Sequence, residues 1–272
     1  MLRLRALLLL STPQFLLWSC SFRGPAERMQ PSVPTATPAV PVPRPVPPRI
    51  YRLGHLDTLV QLPGRVLSIH QGSRNVYEKL PHKTWLPPEP ETQEQAQEID
   101  LEAEERQRLR TAGPAVKRVG RALVLRPAAL KQPLRLVNNP AEDYEKNISY
   151  EYVGSLPEIK QWLISVHLYE GGYFLLVDQR NGQRTRIWSP PAVAPDGRHF
   201  VCGNSDVLAR YEPSGLQVWH VDGTRLEKLW ERQTEWGVTG PRWLDNKTIL
   251  FEQDFFDNGD VDTRVVRMKV VP

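Results

Sequence analysis

The chain has 272 residues, 26 of them proline and only two of them cysteine, with a net charge of +4. Two cysteines exclude a disulfide framework. From Val119 to Pro272 there are 19 Lys and Arg against 20 Asp and Glu. A nucleic-acid binder concentrates its positive charge in the folded part, and this balance excludes that class.

In chain order, residues 1–19 have the form of an export signal. Arg3 and Arg5 precede two apolar runs, Ala6–Leu10 and Phe15–Trp18. Pro13 and Gln14 interrupt the stretch, which is too short to span a bilayer as a mature helix. Leu17-Trp18-Ser19-Cys20 resembles the bacterial lipobox, with leucine three residues before the cysteine and a small residue just before it. The resemblance implies diacylglycerol on the Cys20 sulfur, cleavage ahead of it and acylation of the new N-terminus. Ser21 in place of aspartate implies sorting to the outer membrane. Read as an ordinary cleaved signal, the same residues give a soluble periplasmic or secreted protein.

Residues 20–49 form a proline-rich tether, dense in proline from Pro31 to Pro48, which favours extended, disordered chain without a core. Residues 50–115 read as poorly structured. They hold short strand candidates at His55–Leu62 and Arg65–His70 and a short charged helix within Glu91–Arg110. Its acidic residues lead and its arginines follow, as the helix dipole prefers. Its thin apolar stripe predicts a helix that is solvated or docks lightly, a solvent-facing spacer in preference to a partner-binding helix.

From Val116 to Pro272 alternating, β-branched and aromatic runs are bounded by turn residues, which predicts an all-β, antiparallel domain. Asn181-Gly182 is expected to form a type I′ hairpin turn, and Asp222-Gly223 and Asp257-Asn258-Gly259 are expected to act likewise. Ala192–Val201 aligns with Pro241–Leu250, and more loosely with Leu156–Leu163, as a charged turn leading into an apolar strand. Ala194-Pro195-Asp196-Gly197-Arg198 resembles the turn of TolB-like and uncharacterised bacterial β-propeller repeats, and Asp245-Asn246-Lys247 matches it in part. The resemblance covers Tyr152 to Val271 and implies about three propeller-like units. No activity is carried over from it.

Catalytic motifs are missing. The six histidines (His55, His70, His82, His167, His199, His220) have no metal-site spacing, and no nucleophile elbow or phosphate loop occurs. No cofactor is expected. Asp257, Asp260 and Asp262 are weak calcium candidates around a glycine turn, although the same residues serve an exposed hairpin tip. Trp236, in the loop Glu235-Trp236-Gly237, is the candidate ligand contact. Trp162 and Trp219 read as core, and Cys202 as a small buried hydrophobe. These features predict a non-enzymatic envelope lipoprotein, attached to the membrane through Cys20, whose β domain binds a protein or a glycan. The alternative is a hydrolase of cell-wall or extracellular polymer using dispersed carboxylates.

Overall fold

Strand-forming runs separated by polar turns give four antiparallel sheets in the computed structural model, which describes residues 58–85 and 100–271 except Glu142, Tyr144, Glu145 and Asn258. The signal, Cys20, the tether and the first half of the charged run lie outside the described residues. At the start of the described chain, β1 (Thr58–Leu62) and β2 (Arg65–Gln71) form a hairpin. Sheet I holds β3 (Val116–Val119), β4 (Ala122–Leu125) and β5 (Leu134–Val137). Sheet II is a meander of β6 (Ile148–Leu156), β7 (Gln161–Leu168), β8 (Gly172–Asp178) and β9 (Arg184–Ile187). Sheet III repeats it with β10 (Ala192–Val193), β11 (His199–Asn204), β12 (Gly215–Asp222) and β13 (Arg225–Gln233). Sheet IV runs β14 (Gly237–Trp243), β15 (Thr248–Asp257) and β16 (Asp260–Lys269), then continues onto β2 and β1. The last sheet is thus completed by the first hairpin, with Val266, Arg267 and Met268 paired to Gln71, His70 and Ile69.

The sheets pack face to face in chain order. Along a strand, side chains alternate between faces, and β7 is buried on both. Trp162, Ile164 and Val166 face sheet I with Leu123, Leu125 and Leu136, whereas Leu163 faces sheet III. In sheet III, Phe200, Cys202 and Trp219 face sheet II, while Val201, Leu216, Val218 and Trp230 face Ile249, Phe251 and Val266 of sheet IV. Each such side chain contributes about 1.5–3 kcal/mol by burial. No core cluster among the described residues joins sheet I to sheet IV, and none of the four sheets closes on itself.

The aligned turns occupy one structural place. The pairs Leu156–Gln161, Ala194–His199 and Leu244–Thr248 close the first hairpin of sheets II, III and IV, and Trp162, Phe200 and Ile249 follow as buried equivalents. The Asn181-Gly182 turn differs from its expected type I′ form. Only Gly182 has positive φ, because the Asp178 carboxylate accepts from the N–H groups of Arg180 (2.8 Å) and Asn181 (3.0 Å) and holds a longer turn closed by Gln183.

Strand β14 carries Gly237, Gly240 and Pro241, turn formers that hide it in the sequence, and its pairing with β15 shifts between Thr239 and Arg242. Helix α1 (Arg74–Lys79) caps that irregularity: the Tyr77 hydroxyl donates to the Gly240 carbonyl at 2.9 Å, and the Arg242 guanidinium lies 4.0 Å from the Tyr77 ring centre. Helix α2 (Leu101–Thr111), the end of the charged run, packs onto sheets I and II. Buried Glu105 accepts from Arg118 Nε (3.0 Å) and from the Tyr152 N–H (2.7 Å), and Arg108 donates to the Tyr152 carbonyl (3.0 Å) and pairs with Glu151. The helix, expected to be solvated or to dock lightly, is therefore docked and anchored by charge. Its polar face contacts the protein, which an apolar pattern does not record.

Candidate functional site

Loops joining the second and third strands of sheets II, III and IV emerge at one end of the stack. Three contacts fix this. The Gly172 N–H donates to Glu212 at 2.8 Å, linking loop 169–171 to loop 205–214. Gly237, paired with Asp254, lies against Ser205, so the β15–β16 tip projects beyond it. Asn139 bridges to Ile148, which pairs with Leu168, bringing the end of sheet I alongside.

Each sheet exposes large hydrophobic side chains at this end. Sheet I shows Val119 and Val137; sheet II, Leu168 and Tyr169 (65 % exposed); sheet III, Leu208 (69 %) and Tyr211 (75 %); sheet IV, Phe256 (50 %) and Val261. The opposite end carries polar turns at Glu158–Lys160, Asp178–Gln183, Asp196–Gly197, Asp222–Gly223 and Asp245–Lys247. Only Val66, Leu130 and Leu244 are exposed large hydrophobics there among the described residues. Single exposed apolar residues need no explanation, whereas a concentration of them marks a contact surface.

Loop 205–214 holds its shape through Asp206. The carboxylate accepts from the N–H groups of Ala209 (3.2 Å), Arg210 (3.0 Å) and Glu212 (2.8 Å). Partial burial opposes its ionisation, but the backbone donors prevail and keep it below the usual carboxylate range. Leu208 and Tyr211 are thereby presented outward from a fixed loop. Beneath Tyr211 a shallow pocket of about 360 Å³ runs to Gln233, Thr234 and Glu235. Exposed Glu170, Glu235, Asp260 and Asp262 fringe this end together with Arg121, Lys146, Arg210 and Arg232, so the fringe carries both signs of charge.

Trp236 and the aspartates of the β15–β16 tip, singled out in the sequence, border this surface. Trp236 is half-buried beside the pocket and stacks on Phe251, with ring centres 6.1 Å apart and planes 15° apart. Asp260 pairs with Asp257 through the backbone at the β15–β16 tip, while the Asp262 carboxylate accepts from the Thr263 N–H at 2.7 Å. As placed, no three His, Cys, Asp or Glu side chains among the described residues could hold a metal ion. Trp162, Trp219 and Cys202 are buried, and burial raises the Cys202 thiol well above its ordinary value.

A larger cleft, about 900 Å³, opens between the residue 80–85 segment and the inner strands β10 and β14, with Pro190, Pro191, Pro195 and Pro241 on its walls. Its aromatic rings are already engaged. The Lys83 ammonium sits 3.6 Å from the Trp85 ring centre, Trp85 also packs on Gly154, and the Trp243 indole donates to the Ala192 carbonyl at 2.8 Å. Burial lowers the Lys83 ammonium, with Glu158 opposing.

Sequence reasoning missed the exposed hydrophobic end. Its members are scattered singly over 140 residues of chain, and only the fold brings them together. It also missed the meeting of His199 and His220, which face each other across β11 and β12. Comparison with protein-family models, with curated proteins and with solved structures finds no match to this chain. No helix among the described residues is long and apolar enough to cross a membrane.

Proposed function

We propose that the chain is a bacterial envelope lipoprotein, attached through lipid on Cys20 to the outer membrane and facing the periplasm, whose β domain binds a protein through the apolar end of its sheet stack. One observation carries the binding function: the exposed large hydrophobics gather at one end of all four sheets, on short hairpins and on a loop pinned by Asp206. Tyrosine and phenylalanine beside aliphatic residues are the usual anchors of protein interfaces.

A protein is favoured over a glycan because aliphatic Val119, Val137, Leu168, Leu208 and Val261 share this surface with the aromatic rings, and aliphatic side chains offer a sugar ring no face to stack on. Binding is favoured over hydrolysis because the carboxylates of Asp178, Asp206 and Glu231 are taken up in hydrogen bonds that hold turns and strands. The four-strand meanders of sheets II and III and the three consecutive strands of sheet IV support reading the domain as a partial propeller of about three units with sheet I as an incomplete fourth.

Full-length protein carrying Tyr169→Ser, Tyr211→Ser and Phe256→Ser is compared with wild type in pull-downs from solubilised envelope. The proposal expects a discrete co-purifying protein lost from the triple variant. Unchanged recovery of the same proteins by the variant contradicts it, and recovery of glycan alone replaces it with the glycan reading.

A further inference from the structure

We propose that His199 and His220 form a chelating site for a divalent transition-metal ion of the zinc type on the face of sheet III that packs toward sheet IV. His199 and His220 are directly opposed residues of β11 and β12. Their facing atoms, His199 Nε2 and His220 Nδ1, lie 3.3 Å apart, with ring centres at 5.0 Å. Either ring can donate to the other across that separation, depending on the tautomer. Two nitrogens bound to one tetrahedral zinc at 2.0–2.1 Å stand about 3.3–3.4 Å apart, so the rings already span one edge of a coordination tetrahedron.

His199 Nδ1 is buried and has no hydrogen-bond partner, so only the contact with His220 bears on the His199 tautomer. Its proton can reside on Nδ1, leaving the Nε2 lone pair toward His220. Burial lowers His199 below its ordinary value; Asp196 opposes this, and His220, Arg198 and Lys247 add to it. A proton in the hydrogen bond or an ion in its place can bridge the two nitrogens.

The third strand supplies a carboxylate in the same row. Glu227 of β13 is the direct partner of His220. One residue along, the Lys228 ammonium lies over the Trp219 ring, so positions 219 and 228 share one face, and 220 and 227 the other. Glu227 is exposed and can turn toward the two imidazoles, water completing the shell. Two nitrogens and one carboxylate suit zinc, nickel or copper better than calcium or magnesium.

The test titrates the full chain with zinc chloride by calorimetry, following the histidine ring signals by NMR. One equivalent should bind and shift the His199 and His220 signals. His199→Asn and His220→Asn should each weaken binding at least about tenfold, no less than loss of an outer-shell partner costs in known sites. Glu227→Gln should weaken it less, and His82→Asn, in the large cleft, should leave it unchanged. Where His199→Asn impairs folding, the half-exposed His220→Asn decides. No zinc binding by the wild type, or equal binding by His220→Asn, overturns the proposal.

Discussion

Met268, two residues before the chain's closing valines, pairs across the backbone with Ile69 in the first hairpin, and both side chains are buried in the core shared by sheets III and IV. The β1–β2 hairpin is thus a structural part of the C-terminal sheet, although nearly 200 residues separate the partners.

Ile69→Ala removes buried atoms on which β16 and the sheet III–IV core rest. It should destabilise the domain by about 2–5 kcal/mol, read from chemical-denaturation midpoints. A fragment beginning at Val116 lacks the hairpin and exposes the β16 edge. It should be less stable than one beginning at Thr58.

Gly197 has φ +66° in the first hairpin turn of sheet III. Gly197→Val meets the steric penalty of that conformation and should cost about 1–3 kcal/mol. Asn246, in the matching turn of sheet IV, is not left-handed; its side-chain oxygen instead accepts from the Asp196 N–H at 3.2 Å. Asn246→Val should cost less, through loss of one exposed bond. Equal effects in denaturation contradict the distinction drawn between the two turns.

Asp178 is almost fully buried at the end of β8. Burial opposes its ionisation, but hydrogen bonds from the Arg180 guanidinium and from the N–H groups of Asn181 and Arg180 outweigh it and hold the pKa below the ordinary value. A carboxyl lowered in the folded state adds stability above its unfolded pKa, and this is lost as pH falls through the folded value. Wild-type stability should therefore decline below about pH 4. In Asp178→Asn that part of the acid limb should be missing from denaturation midpoints measured across pH 2–6.

Cys20→Ala should release the protein from the membrane fraction and abolish labelling by a clickable fatty acid. A wild type that carries no lipid label, with fractionation unchanged by the substitution, contradicts the lipid anchor.

The all-β character and many strand positions were legible because alternation and turn residues are local signals. Tyr173–Asp178 and Leu216–Val221, for example, lie within β8 and β12 almost unchanged. Three features were not. Strand β14 is disguised by Gly240-Pro241, residues that serve a bulge contacted by Tyr77 rather than a chain reversal. Glu105 looks like a solvated helix residue, yet Arg118 and the Tyr152 N–H receive it in the interior. The apolar end is the third, since Tyr169, Tyr211 and Phe256 each resemble an ordinary exposed residue until sheets II, III and IV set them side by side.

The binding surface is tested most directly by site-specific photo-crosslinking in intact cells, with a photoreactive residue at Ala209, on the exposed loop between Leu208 and Tyr211, or at Asp222 on the opposite end. The account predicts a discrete protein adduct from position 209, none from position 222, and loss of the first when Tyr169→Ser and Phe256→Ser are added. An adduct from position 222 alone, or one from position 209 that survives both substitutions, would contradict it.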